Sequence, residues 1–388
     1  MKKICLSHYN FSIHSFTKLM IENPPKGYIF LFPPSTRLKK GFRKFILNSG
    51  ILKFIYKTII KKFFNTFSLY QNIYSSNPPI ECDLLYSPIP LIINKKYILE
   101  ILDHPAAMTG YDYNVFIKSI ADIEKKLLSS YCKKIIVVNE SSYQLMKKYF
   151  GPKVIKKTQL IRAGILKQTY KKNYNKNKLQ ILFIGSLTNP NDFYIKGGLE
   201  ALESFKRISD KFDNVNMIMK CKVPKNIKKR YFSIKNLEIL EDTIPSDKWV
   251  NIMKNSDILL QPGHVYPLMA TLESMSYSIP IIMLDTWGVR DYLENNKNSI
   301  LIKPSSKITE YNSKEYPLNI RSKKFISQIK NIDERVINNI CSVLEKMINN
   351  PRLRERLGKT GKKIAETKFS FERRNKILKR IFDEAINQ

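Results

Sequence analysis

Short apolar runs alternate along the whole chain with stretches of helical periodicity, and this alternation restricts the fold more than any other feature. In the first half the runs are KKICLSHY (2–9), YIFLFPP (28–34), DLLYSPIP (83–90), YILEILDHP (97–105) and KKIIVVNE (133–140). A second set comprises LQILFIGS (179–186), NVNMIMKC (214–221), NLEILED (236–242), DILLQPG (257–263), PIIMLD (280–285) and SILIKP (299–304). Apolar runs of this length, spaced by helical patterns, read as strands of mostly parallel sheets in α/β units. Between the two sets lies KKNYNKNK, a polar stretch without apolar periodicity, which reads as a linker near residues 167 to 178. Two successive α/β domains follow, in keeping with 388 residues, more than one typical core holds. Periodicity fades into a polar loop between Ser305 and Asp333. From Glu334 the tail turns helical, breaks at Pro351 and ends in FSFERRNKILKRIFDEAINQ.

Charge narrows the partners without choosing among them. The 67 Lys and Arg against 33 Asp and Glu leave +34, a field that attracts nucleic acid, anionic lipid or phosphorylated small molecules. Much of the excess is Lys beside abundant Asn and Ile, a composition that AT-rich codon usage also produces. No helix-turn-helix or aromatic RNA-binding signature accompanies the charge, so nucleic acid is not an expected partner. Residues 39–64, KKGFRKFILNSGILKFIYKTIIKKFF, set Ile51, Ile55, Ile59 and Phe63 on one helical stripe and Lys53, Lys57 and Lys61 roughly opposite. That pattern suits a surface helix packed on a sheet, or one lying on anionic lipid. The five cysteines are scattered, with no C-x-x-C and no metal spacing, and Cys132, at the mouth of an apolar run, reads as a core thiol of a reducing compartment. No window offers the ~18 apolar residues of a spanning helix. The expected location is cytoplasmic, with peripheral contact at the inner face of a membrane at most.

Two stretches carry chemistry. In ILFIGSLTNPNDFYIKGGLEALESF (181–205), Gly185 stands at a strand end, and Lys196, Gly197 and Gly198 open a helix whose N-terminal N–H groups and dipole suit a phosphate. The spacing is not that of a Walker A loop. In QPGHVYPLMATLESMSYSIPII (261–282), an apolar run enters a short loop and a compact helix bearing Glu273.

The order of these elements resembles the C-terminal half of retaining glycosyltransferase family 4. Two further passages extend the resemblance over most of residues 83–304: YCKKIIVVNESSYQLMKKYFG followed by QLIRAGI, and DTWGVRDYLENNKNSILIKP, with Asp291 in an acidic place. It implies the GT-B fold, two Rossmann-like domains facing a central cleft, here 1–166 on the acceptor side and 167–365 for the nucleotide sugar. The helix 366–388 is then expected to cross back to the first domain. It implies a sugar transferred from a nucleotide diphosphate sugar to a glycan, polyprenyl-linked or glycolipid acceptor, with retention and without a metal or other cofactor. A non-catalytic relative that binds a glycan or a protein partner is the alternative.

Carried onto this chain, the resemblance assigns donor contacts to Gly185, Ser186, Lys196, Gly197, Thr271, Leu272 and Glu273. Lys196 takes the family's diphosphate-binding Lys place, whereas Ser186 stands where the family has Arg; Lys222 or Arg162 are candidates to compensate. Glu273 matches the second Glu of the family's pair, the one holding the ribose. Val265 occupies the place of the first, with His264 beside it as a candidate sugar contact or a loop cap. His104 matches the family's strand-end His that faces the donor sugar, so His104, Lys196 and Glu273 are the expected catalytic set. Ser7, His8, Asn10 and Asp103 are the expected acceptor-side residues.

Overall fold

The computed structural model describes residues 1–7, 15–32, 67, 81–88, 91, 95–309, 320 and 322–387. His8, Asn10 and the basic stripe of Lys53, Lys57 and Lys61 lie outside the described residues. The chain forms two compact units, Met1–Gly164 together with Phe371–Gln388, and Ile165–Ser370. Among the described residues no helix is long and apolar enough to cross a membrane.

The first unit is a six-stranded parallel sheet of β1 (Lys2–Leu6), β2 (Tyr28–Leu31), β3 (Leu84–Ser87), β4 (Tyr97–Ile101), β5 (Cys132–Val137) and β6 (Thr158–Leu160), in the order β2-β1-β3-β4-β5-β6. The second holds β7 (Leu179–Ile184), β8 (Val215–Lys220), β9 (Leu237–Leu240), β10 (Ile258–Gln261), β11 (Ile281–Leu284) and β12 (Ser299–Ile302), in the order β12-β11-β10-β7-β8-β9. All the apolar runs named above are strands, and β3, β4, β10 and β11 are buried along their whole length. Each sheet reverses its winding once, between β1 and β3 in the first and between β7 and β10 in the second. Doubly wound sheets bind ligands beyond the carboxyl ends of the strands at such a switch point.

The C-terminal helix Phe371–Asn387 completes the first unit. Leu378, Ile381, Phe382 and Ala385, spaced to share one face, join Ile4, Tyr28, Leu84, Tyr86 and Ile98 in its core. One turn earlier Arg374, with Glu100 the most buried ion pair of the unit, donates to Glu100 Oε1 at 2.5 Å, to the Ile161 and Arg162 carbonyls at 3.0 Å each, and to Tyr86 Oη at 3.3 Å. Phe371 lies so close to Gly164 that a Cβ there would meet its ring at 3.0 Å.

Three expectations are corrected. The boundary placed at 365/366 falls inside the helix Pro351–Lys368, and the chain re-enters the first unit at Phe371. The stretch read as a linker is bound to the second unit: Lys172 Nζ donates to the carbonyls of Lys254 and Ser256, Tyr174 Oη to that of Ser278 at 2.8 Å, and Lys176 pairs with Asp257 at 3.1 Å. Polar residues without periodicity can anchor a chain through side-chain to backbone bonds, which no apolar pattern reveals. Within the expected 305–333 loop stands a helix, Lys323–Lys330, capped by Ser322 and burying Phe325 and Ile329 one turn apart. The break expected at Pro351 is present: the helix Glu334–Asn349 ends before it, and Pro351 opens the next helix at its first turn, with Asn350 capping the N–H of Leu353.

Candidate functional site

The switch point of the second unit joins the two motif stretches into one assembly. Gln261, ending β10, accepts the Ile184 N–H at 3.3 Å and donates to the Lys196 carbonyl at 3.1 Å; His264 N–H donates to the Ile195 carbonyl at 2.9 Å. Gly197 has φ +80°, and a Cβ on it would lie 2.0 Å from the Pro262 carbonyl oxygen. A Cβ on Gly198 would meet the Phe193 ring at 2.3 Å. The two glycines therefore let the Lys196 loop press onto Pro262 and Gly263, and so set the N-terminus of helix Gly198–Ser209 at the carboxyl edge of the sheet. Gly185 is required by its neighbour in the next strand, since a Cβ would come 2.5 Å from Cys221 Cβ. Ser186 turns its hydroxyl to Thr188 at 3.0 Å, while its carbonyl accepts the Lys222 N–H at 2.9 Å.

His264 does not open onto solvent. Its Nε2 lies 2.9 Å from Glu200 Oε1, and only 2% of its side chain is exposed. Glu200, in the first turn of helix Gly198–Ser209, escaped the sequence reading. An acidic residue in the turn after a glycine N-cap is the signal that points to it. Its Oε2 is buried without a hydrogen-bond partner among the described residues. Val265, expected at the place of the family's first Glu, belongs to the hydrophobic core. Beyond it, half-buried Tyr266 packs edge-on against Trp287 at 5.6 Å.

On helix Leu268–Ser276 the groups available to a ligand differ from those expected. Thr271 is fully buried and spends both its N–H (3.1 Å) and its hydroxyl (3.0 Å) on the Pro267 carbonyl; the Leu272 side chain is fully buried. The free backbone donors of a helix are its first N–H groups, here on Leu268, Met269 and Ala270. Glu273 is half-buried and accepts the indole N–H of Trp249 at 2.7 Å. Burial raises its pKa, opposed by Trp249 and by Lys220, whose Nζ lies 4.0 Å from the Trp249 ring centroid. Trp249, on helix Ser246–Asn255, and Lys220, ending β8, are further residues the sequence reading missed.

In the first unit β4 ends at Ile101, so Asp103 and His104 lie past the strand and its alternation. The Asp103 carboxylate accepts the His104 N–H at 2.7 Å and the Tyr111 hydroxyl at 2.8 Å, with Tyr111 at φ +64°. His104 caps the 3-10 turn Pro105–Thr109, its Nδ1 accepting the Ala106 N–H at 2.9 Å. An accepting Nδ1 puts the proton of the neutral ring on Nε2. Burial and, secondarily, Lys148 push the pKa of His104 down to about 3, with the rings of Phe116, Tyr149 and Tyr113 around it at 5.7, 5.8 and 6.4 Å. The residue can donate a hydrogen bond at neutral pH but cannot exchange a proton there. Ser7, past the end of β1 at this unit's switch point, is buried and donates its N–H to the Tyr86 carbonyl. Among the described residues no group of three His, Cys, Asp or Glu is placed to hold a metal ion.

Residues 166–314 match the family described as glycosyl transferases group 1. A comparison with curated protein sequences found no match. Among solved structures, the chain is similar to Anabaena Alr3699/HepE in complex with UDP and glucose (12% identity, 99% of each chain covered, TM-score 0.61). It is also similar to a glycosyltransferase from Rickettsia africae ESF-5 (12% identity, 100% of this chain and 99% of that one, TM-score 0.57). The pneumococcal O-GlcNAc transferase GtfA, in complex with UDP and GlcNAc, is similar over 79% of this chain and 57% of its own (14% identity, TM-score 0.54). Likenesses at such identity speak to the fold, which is the two-domain α/β fold of GT-B glycosyltransferases.

Proposed function

We propose that this chain is a glycosyltransferase that moves a sugar from a nucleotide diphosphate sugar to a glycan or lipid-linked acceptor, with retention of configuration and without a metal. The observation that carries the reading is the second unit's switch point, where the Lys196 loop and a glycine-opened helix N-terminus press onto Pro262 and Gly263, within the segment matching group 1 glycosyl transferases that also holds the half-buried Glu273. The group 1 match and the UDP seen in two of the similar structures support a nucleotide-sugar donor.

In this reading Glu273 accepts a ribose hydroxyl. Lys196 and the first N–H groups of helix Gly198–Ser209 take up charge as the bond from the sugar to the diphosphate breaks, which lowers the barrier without a proton donor. The departing phosphate receives the acceptor's proton on the same face, so no protein nucleophile is required. His104 supplies a neutral N–H donor for a sugar hydroxyl, and Ser7 and Asp103 border the acceptor. With Val265 in the core and the His264 ring on Glu200, the sugar is read by the 264–266 backbone and by Tyr266, which shifts sugar preference.

A thermal-shift screen of nucleotide diphosphate sugars tests this. The expected outcome is one ligand that stabilises the chain, with the shift lost in Glu273→Ala; an unchanged shift in that variant refutes the donor site. The core position of Val265 also favours a second reading, a non-catalytic relative, which predicts ligand binding without slow donor hydrolysis. Membrane contact through Lys53, Lys57 and Lys61 is part of the proposal. Co-sedimentation with anionic but not neutral liposomes is expected, and equal recovery in the supernatant counts against it.

A further inference from the structure

The end of β8 carries a cation that the donor reading leaves unused. Lys220 is in register with Ile184 of β7, and its carbonyl accepts the Gly185 N–H at 2.8 Å. Residues in register on parallel strands face the same side, so Lys220 leaves the sheet beside the turn that Gly185 begins. Its Nζ rests on the face of Trp249, whose indole N–H is held by Glu273. No ion pair occupies Lys220 among the described residues. The aromatic face thus holds the ammonium in place while burial lowers its pKa, and the Glu273 carboxylate interacts with its charge without forming a salt bridge to it.

A nucleoside diphosphate brings more than one negative charge. Lys196 and the helix N-terminus offset part of it, and Ser186, engaged with Thr188, brings no cation. We propose that Lys220 binds the diphosphate of the donor, with Trp249 holding Lys220 and Glu273 in a single arrangement so that phosphate and ribose are gripped from one platform. The inference rests on the donor reading given above. Trp249 is then a positioning residue, acting through its two neighbours.

Calorimetry on the full chain with UDP, GDP and ADP, each against its own nucleoside, separates the outcomes. For the diphosphate that binds best, Lys220→Met is expected to weaken binding by about tenfold or more, the scale of one lost charge-assisted bond. The nucleoside should change by less than about twofold, and the salt dependence of diphosphate binding should become shallower. Lys220→Arg is expected to restore most of the loss, and Trp249→Phe, which keeps the face but not the N–H, to fall between. Diphosphate affinity retained in Lys220→Met overturns the proposal. So does a parallel loss of nucleoside affinity, which marks a merely structural lysine. If the unaltered chain binds none of these nucleotides, the donor reading fails and this inference with it.

Discussion

The two units handle buried charge in opposite ways. In the first, the Arg374 and Glu100 side chains are each 1% exposed, and the terminal NH₂ groups of Arg374 are all spent on Glu100, Tyr86 and two carbonyls. In the second, Glu200 keeps one buried oxygen without a partner among the described residues, and Glu273 is raised in pKa with one oxygen tied to Trp249. The Arg374 network is nearly complete, only its Nε being buried without a partner among the described residues, and it serves the fold; the carboxylate oxygen left open in the second unit costs stability and is where a ligand's own donors complete the count.

The contrast can be broken at its strongest point first. Arg374→Met should destabilise the first unit by about 3–5 kcal/mol, since it strands a buried carboxylate, whereas Arg374→Met with Glu100→Gln should recover most of that. Urea denaturation of the single and double variants measures the difference; equal losses would place the effect in packing. Glu200→Ala should cost about 2 kcal/mol by leaving the His264 ring buried beside an apolar gap. His264→Ala and the double variant complete a cycle whose coupling energy reports the pair.

Glu273 runs the other way. Its raised pKa means the folded state holds the proton more tightly than the unfolded chain, where a glutamate titrates near about 4.3. Stability is therefore highest below that value, falls as pH rises towards the folded pKa, and stays reduced above it. Glu273→Gln should raise stability at pH near 8, with the gain vanishing near pH 4, while nucleotide binding is lost. Thermal melts at both pH values check the sign. The smallest effect belongs to His104: with a pKa near 3 and Nδ1 accepting from Ala106, its ring ¹⁵N shifts should report the Nε2–H tautomer and stay constant from pH 5 to 8. A titration in that range would show a ring open to water.

Most of the fold was legible because strands buried on both faces are written as local apolar runs; only β6, three residues long, needed the family resemblance to be seen. The linker and the helix Lys323–Lys330 were misread because anchoring lysines and a single serine cap leave little periodic trace. At the proposed site, Lys196, His104 and Glu273 were expected from their place in order. Glu200, Trp249 and Lys220 were not, since each acts through a partner distant in sequence: 64 positions separate Glu200 from His264, and 24 separate Trp249 from Glu273. Nor could strand-end position reveal that His104 is locked neutral, which depends on the rings of Phe116 and Tyr149 around it.

The return of Phe371–Asn387 to the first unit has a consequence for synthesis. Leu378, Phe382 and Arg374 are the last parts of the first unit's core to be made, although its sheet is among the first. On the ribosome, where domains usually mature in order of emergence, the earlier unit must wait, its apolar face uncovered, until the whole of Ile165–Ser370 has been translated. The later unit is free to fold first, and the earlier one can close only once Phe371–Asn387 has emerged.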